Sequence, residues 1–338
     1  MLPIESLEMR YSSQWLSWFK NIMIDDKRVD SLVIIDPDPL TTEITNGAFL
    51  DVCGTNYYKA MQLASCSEMI HNGQVDENTV FFMHDAWFPG IEMLAYMRDG
   101  LGIKFKIAGC LHAGTYDPTD FTSKKGMGMW GRDLEQSWFE LYDKLFVATS
   151  YHKNLIQMNR VIVPDKLVVT GFPIYKPLVD MGCAKEKIVV FPHRLTEDKQ
   201  PELFDELARL MSSIYPDWQF IKTQDVKRTK QEYYDLLRRA SIAVSFAKHE
   251  NWGIGMQEAT MVGCIPVVPD RLSYKEMYSP EFRFADFADA FHRVYTLIHD
   301  IKAGNMHNYY RIWDQDRIKM ERAGWNAITN MIGELLGL

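Results

Sequence analysis

Cysteine is scarce and scattered in this chain. Its 338 residues hold five, Cys53, Cys66, Cys110, Cys183 and Cys264. The number is odd and no CxxC occurs, which argues against a disulfide framework and against a structural zinc site. Small, buried apolar packing is the expected role. No apolar run approaches the roughly 20 residues that a membrane span needs. The opening residues, MLPIESLEMRYSSQW, lack a basic stretch followed by an apolar core, so no secretory signal is expected and a cytoplasmic setting is the default. Positive charge is not in surplus either: 37 Lys and Arg face 45 Asp and Glu, for a net charge of −8. That argues against a protein that coats nucleic acid through many phosphate contacts, while leaving room for one local basic groove. Internal repeats and low-complexity tracts are missing. The spacing Asp36-Pro37-Asp38 suits a metal-binding DxD, but the proline and its early place fit a loop better, and no metal is expected.

What the chain does have is globular composition, 47% hydrophobic and 24% charged, at a length that suits two α/β domains. Short runs rich in Val, Ile and Phe predict strands at 31–35, 79–83, 104–110, 144–149 and 166–170, then at 187–191, 218–222, 241–246 and 265–268. Amphipathic stretches between them predict helices at 13–24, 57–71, 90–98, 151–159, 201–212, 230–240 and 254–262, with two or three more after residue 282. Alternation of this kind implies βαβ units and parallel sheets. Periodicity lapses over 174–186, so the domains are expected to be 1–176 and 177–338, with the last helix free to pack back on the first.

Ligands of open α/β sheets bind beyond the carboxyl ends of the strands. The residues there are His84-Asp85, His112-Ala113-Gly114, Ser150, Gly171-Phe172-Pro173, His193-Arg194 and Lys248-His249-Glu250, a set enriched in His, charge and Gly. Two sheets facing each other would bring both groups of strand ends to one interdomain cleft. The strongest signal is 245–270, SFAKHENWGIGMQEATMVGCIPVVPD. Glu250 and Glu258 stand in an E-x7-E spacing around Gly253-Ile254-Gly255, which opens a helix. Free amides and the positive dipole end suit a phosphate. Glu258, a turn into that helix, can accept hydrogen bonds from a ribose, and Glu250 lies where a sugar would project. The second signal is 189–210, VVFPHRLTEDKQPELFDELARL. Arg194 and Lys199, after a strand and before a helix, can neutralise a departing diphosphate. Lys199 also has the ordinary reading of a surface lysine.

These two runs resemble the retaining GT-B glycosyltransferases of the glycogen-synthase-like family 4. More narrowly, HRLTEDKQPELF, YYDLLRRASIAVSFAKHENWGIGMQEA and GCIPVVPDRLSYKEMY are similar to the C-terminal domain of tRNA-queuosine mannosyltransferases, over about a quarter of the chain. The resemblance implies an α/β fold of two Rossmann-like domains, 1–176 for the acceptor and 177–338 for the nucleotide sugar. It implies donor-sugar contact for Glu250, ribose contact for Glu258, diphosphate contact for Arg194 and Lys199, and a donor loop of Asn251, Trp252, Gly253, Ile254 and Gly255. The N-terminal half departs more. FFMHDAWFPGIEML is similar to the family's HDW-type motif, with His84 and Asp85 toward the acceptor. KIAGCLHAGTYD is similar to its second histidine motif, with His112 placed to touch the transferred sugar. The usual first strand with a Gly-Gly loop is missing. In its place stands PIESLEMRYSSQWLSWF, whose Arg10 and Tyr11 could line the acceptor side, an opening similar to that of phage-encoded glycosyltransferases. A loop expected at 114–130, GTYDPTDFTSKKGMGMW, mixes Lys124 and Lys125 with Tyr116, Phe121 and Trp130. That mixture suits either a splayed nucleobase or a mobile lid, whereas 227–230 reads as a solvated face.

The expected activity is transfer of a sugar, with retention, from a UDP- or GDP-sugar to an acceptor hydroxyl. No cofactor is expected beyond that co-substrate, and no membrane partner. The favoured acceptor is a modified nucleobase in DNA or tRNA, and the setting would be a host cytoplasm if the enzyme is viral. Alternatives are a cell-surface glycan or small-metabolite acceptor, a sugar-nucleotide isomerase, or a non-catalytic nucleotide-sugar-binding protein. Oligomeric state is not legible.

Overall fold

The computed structural model describes residues 1–5, 12–25, 29–40, 51–174, 184–226 and 229–337. Arg10 and Tyr11 therefore lie outside the described residues, as do Lys227 and Arg228 of the expected solvated face. The chain divides into two compact units, Met1–Phe172 with Asn326–Leu338, and Pro173–Trp325.

In unit 1 the strands β1 (Val80–Met83), β2 (Lys106–Cys110), β3 (Lys144–Val147) and β4 (Leu167–Val169) form a parallel sheet in that order. Around them run α1 (Ser12–Asp25), α2 (Val52–His71), α3 (Ile91–Leu101), α4 (Trp130–Leu141) and α5 (Ser150–Asn159). The strands are short and buried, as runs of branched and aromatic residues in a parallel sheet must be. The expected strand at 31–35 does not form. That stretch has no ladder among the described residues: Ile35 N–H donates to Met1 C=O at 3.0 Å, the Met1 amino group donates to Val33 C=O at 2.8 Å, and Gln62 Nε2 donates to Ile35 C=O at 3.0 Å. Leu2 in turn bridges in parallel to Met83, with hydrogen bonds of 2.8 and 2.9 Å to Phe82 C=O and from His84 N–H. Residues 1–5 thus stand beside β1, where the sequence had lacked a first strand.

The stretch 114–130 also differs from the expected loop. Tyr116, Asp117, Asp120 and Thr122 are buried, and Ser123–Met127 form a turn of wide helix leading to α4. Two D-x-T turns cause this. Asp117 Oδ1 accepts from Thr119 N–H at 2.8 Å, and Asp120 Oδ1 accepts from Thr122 N–H at 2.9 Å, an Asx geometry that folds a chain locally. Tyr116 is not a stacking platform: its hydroxyl meets His152 Nε2 at 2.6 Å inside the core.

Unit 2 carries β5 (Glu186–Phe191), β6 (Gln219–Lys222), β7 (Ala240–Val244), β8 (Ile265–Pro269) and β9 (Arg283–Phe284), parallel in the order β6-β5-β7-β8-β9. Its helices are α6 (Pro201–Ile214), α7 (Lys230–Arg239), α8 (Ile254–Met261), α9 (Tyr274–Met277), α10 (Phe287–Ala303) and α11 (His307–Leu336), the last reaching into the residues counted with unit 1. α7 starts at a capping box, Thr229 with Glu232, which satisfies two amides a helix start leaves open. The sheet core, with Ile188–Phe191, Phe204, Leu207, Ile242, Val244 and Val267, is buried almost completely. Each such side chain contributes about 1.5–3 kcal/mol. Strand order reverses between β5 and β7, and at such a switch point the loops beyond the strands part and leave a crevice.

Candidate functional site

Two loops leave that switch point, one after β5 and one after β7. After β5 come Pro192, His193 and Arg194, then a 3₁₀ turn, Glu197–Lys199, that delivers Lys199 just before α6. Gln200, in the left-handed region at φ 54°, ends the turn, a conformation uncommon for any residue but Gly. Lys199 is buried, 5% exposed, so it is not a surface lysine. Its Nζ donates to His249 C=O, lies 3.3 Å from Glu250 Oε2 and 3.2 Å from Asp198 Oδ2. The second loop is tied to the first by Lys248 N–H on Asp198 C=O at 2.7 Å.

Glu250 is the centre of this arrangement. Its Oε1 accepts Gly253 N–H at 2.8 Å and Trp252 N–H at 3.4 Å, and its Oε2 faces Lys199. Burial pushes the carboxyl up, but Lys199, His193 and the Gly253 amide outweigh it and hold Glu250 down to about 2. Asp198 follows the same pattern. Burial raises it, and Lys199, the Thr196 hydroxyl and Arg194 bring it down to about 2. Gly253, at φ +70°, makes the turn that caps α8, and Gly255 is required because a Cβ there would lie 2.2 Å from Pro192 C=O. Glycine is the residue that tolerates both demands.

Glu258 sits one turn into α8 and is buried. Tyr233 OH donates to Oε2 at 2.9 Å and Tyr234 OH to Oε1 at 3.1 Å, while Lys230 lies over both rings. The Tyr233-Tyr234 pair of α7 had not been read as part of a site. Nor had Ser273, whose hydroxyl donates to Glu250 C=O at 3.0 Å, nor Arg271, which donates to Phe246 and Ala247 C=O at 3.0 and 3.1 Å. Of the expected donor residues, Arg194 is half-buried at the end of β5. Asn251, Trp252 and Gly253 are buried, and Ile254 and Gly255 are half-exposed at the start of α8. Unit 2 thus brings Lys199, Glu250 and the Asn251–Gly255 stretch into one connected cluster.

The strand ends of unit 1 are of another kind. His84, expected toward an acceptor, is 0% exposed. Its ring lies against Phe19 (centroids 4.5 Å), Trp15 and Phe82, and neither ring nitrogen has a hydrogen-bond partner among the described residues. A side chain enclosed in this way by aromatic rings presents no ring nitrogen at the surface. Burial first, then the Met1 amine and His112, lowers its pKa to about 3. Asp85 remains a quarter exposed and pairs with buried Lys59 at 2.7 Å. The signal for Lys59 in the sequence is a polar stripe at helical spacing, Thr55, Lys59 and Gln62, on the buried face of α2. His112 is half-exposed. Its Nε2 meets His84 C=O at 2.7 Å and its ring packs on Phe172 and Trp15. Lys124 and Lys125 are exposed on the turn before α4, near exposed Met129 and Trp130. Among the described residues no group of three His, Cys, Asp or Glu could hold a metal ion.

Two parallel-sheet units of this construction define the class: the chain has the GT-B glycosyltransferase fold. No protein-family model matches it. It is similar to the lipopolysaccharide outer core galactosyltransferase WaaB, in its apo form, over 99% of this chain and 98% of that one, with TM-score 0.65 at 11% identity. It is also similar to TarM from S. aureus, solved as a variant with fondaparinux, α-GlcNAc-glycerol and UDP. That match covers 82% of this chain and 58% of TarM, with TM-score 0.55 at 13% identity. At these identities the likeness is one of fold. In sequence, 138 residues are 30% identical to a tRNA-queuosine α-mannosyltransferase of Drosophila melanogaster. The matched part is 32% of this chain and 37% of the fly protein.

Proposed function

We propose that the protein is a retaining, metal-independent glycosyltransferase that moves a sugar from a UDP- or GDP-sugar to a hydroxyl on a modified nucleobase in DNA or tRNA. The observation that carries the transferase reading is the Lys199–Glu250 cluster at the switch point of the unit 2 sheet, beside the amide end of α8. Arg194 and Lys199 supply positive charge for a leaving diphosphate. Gly253 to Gly255 open the helix whose amides suit a phosphate. Glu250 is ionised over the whole working range of pH and accepts donor-sugar hydroxyls, and Glu258 accepts from the ribose. The bond from the anomeric carbon to the diphosphate oxygen breaks as the bond to the acceptor oxygen forms on the same face. The acceptor proton passes to the leaving phosphate. The protein then contributes positioning and charge stabilisation rather than a covalent nucleophile. In unit 1, His112 is the partly open group for the transferred sugar. Asp85, Lys124 and Lys125 serve the acceptor.

The nucleobase acceptor is supported by the 30%-identical segment shared with the tRNA-queuosine enzyme and by the exposed cations beside Trp130. The test is a panel of UDP- and GDP-sugars screened for thermal stabilisation, followed by mass spectrometry of nucleosides from DNA and tRNA incubated with enzyme and the best donor. A nucleoside heavier by one sugar is expected. Donor hydrolysis with every nucleic acid left unmodified would overturn the acceptor and keep the transferase. Failure of every nucleotide sugar to bind would overturn both.

A further inference from the structure

The end of β5 holds a histidine with no part yet in the proposed chemistry. His193 is buried, 7% exposed, and its Nε2 has no hydrogen-bond partner among the described residues. Folded chains rarely leave such an atom unmatched, and where they do a missing ligand is one of the physical explanations. The ring stands edge-on to Phe191, centroids 5.0 Å apart. It follows Pro192, whose own φ is fixed by its ring and whose carbonyl fills the space that a Cβ on Gly255 would need. The imidazole therefore follows a backbone group packed against the first turn of α8. It lies in the field of Lys199, Glu250, Asp198 and Arg194. Burial above all, then Lys199, lowers its pKa to about 3, so the ring stays neutral.

We infer that His193 is a donor-binding residue whose Nε2–H donates a hydrogen bond to an oxygen of the donor's diphosphate, between Arg194, Lys199 and the amide end of α8. The inference rests on the reading of unit 2 as the donor site. A diphosphate at neutral pH offers acceptors and no proton at its bridging region, which selects the Nε2–H tautomer. Lys199 is the charge that acts most strongly on the ring, Arg194 is the next residue, and Pro192 touches the helix start. All three mark the phosphate side of the site. A neutral donor adds a hydrogen bond without a third positive charge. That bond strengthens as negative charge gathers on the leaving group, so it favours the transition state over the bound ground state.

Two substitutions test this. His193→Phe keeps the ring and its edge packing on Phe191 and removes the N–H. His193→Gln returns an amide N–H at the reach of Nε2. Binding of UDP, GDP and the matching nucleoside monophosphates is measured by calorimetry, with kcat/KM for the donor that the wild type hydrolyses. His193→Phe is expected to weaken the preferred diphosphate roughly tenfold or more, as loss of a hydrogen bond to a charged group does, to leave the monophosphate nearly unchanged, and to lower kcat as well as raise KM. His193→Gln should recover much of both. If His193→Phe does not fold, His193→Asn, whose amide reaches only to the Nδ1 position, is expected to lose diphosphate binding that His193→Gln retains. Wild-type diphosphate affinity in His193→Phe, or in His193→Asn, would overturn the inference. The control Arg194→Ala separates the failures. If it abolishes diphosphate binding while the His193 variants do not change it, His193 alone is misassigned. If it too changes nothing, the donor-site reading fails.

Discussion

The strand ends of the two units solve the same problem, a polar group at the end of a buried strand, in opposite ways. In unit 2 the groups are charged and joined: Lys199 touches Asp198, Glu250 and the His249 carbonyl, and Glu258 is held by two tyrosine hydroxyls. In unit 1 the corresponding His84 is enclosed by aromatic rings, and the buried charge is moved one layer back. There Glu135 accepts from Arg160, Trp87 and Thr115. The unit 2 cluster is nearly closed, with Lys199 buried and the Asp198 and Glu250 side chains less than a fifth exposed, and the half-buried Arg194 adds positive charge beside it. An apolar enclosure with a paired charge behind it suits a rigid platform. On the proposed function, unit 2 carries the chemistry of donor binding, and the strand end of unit 1 at His84 serves as a packed support.

The largest effect that could break this contrast is at Glu250. Glu250→Ala is expected to lower donor turnover by at least about 100-fold, the scale of losing a preorganised electrostatic contact. Lys199 keeps Asp198 and the His249 carbonyl, so the variant should fold. Turnover near wild type would remove the proposed centre of unit 2. Next comes the charge behind the unit 1 platform. Glu135→Ala leaves Arg160, 6% exposed, as a buried cation without its carboxylate, at a cost of about 3–5 kcal/mol. Urea denaturation should show that loss, with diphosphate affinity of the folded protein unchanged. A loss below about 1 kcal/mol would make the pair ornamental.

The strands and most helices could be read from the sequence because buried parallel strands are continuous runs of Val, Ile and Phe. The E-x7-E spacing and its glycines likewise carried their geometry openly, since a helix start that must approach Pro192 needs Gly255. What could not be read was pairing at a distance. Lys59 and Asp85 are 26 residues apart, Tyr233 and Glu258 are 25 apart, and no local rule joins them. The stretch 31–35 misled because a strand needs a neighbour as well as propensity, and its neighbour among the described residues is Met1 alone, through two hydrogen bonds that form no ladder. The stretch 114–130 misled because its Gly and Lys content hid two D-x-T turns that fold it onto the core. The surroundings of His84 were equally hidden: Trp15 and Phe19, on a helix far earlier in the chain, enclose a ring that the sequence places at a strand end.

A smaller effect sharpens the His84 side of the comparison. Its pKa in the folded protein, about 3, lies below the ordinary 6.5. Between these values the unfolded chain takes up a proton that the native ring refuses, so stability falls as pH drops from 6.5 toward 3, by up to about 1.4 kcal/mol per pH unit. Above 6.5 the group contributes nothing to the slope. His84→Phe should flatten that acid limb and keep transfer activity within a few-fold. Loss of transfer in a folded His84→Phe would restore the acceptor role that its burial argues against.

The smallest expected effect concerns Lys124 and Lys125, where unit 1 does present charge to solvent. Each lies on the turn before α4, outside the aromatic enclosure, so removing both should leave stability and acceptor-free donor hydrolysis as they are. If the acceptor is a nucleic acid, two lost phosphate contacts should raise its KM several-fold. They should also reduce the slope of log affinity against log salt by roughly 1.5, between the single-strand and duplex values for two charges. The salt slope is the discriminating readout, because a neutral glycan or small metabolite would show none to begin with. Lys124→Ala/Lys125→Ala with an unchanged slope would move the acceptor contact elsewhere on unit 1. The proposed donor site at the Lys199–Glu250 cluster would be untouched by that outcome.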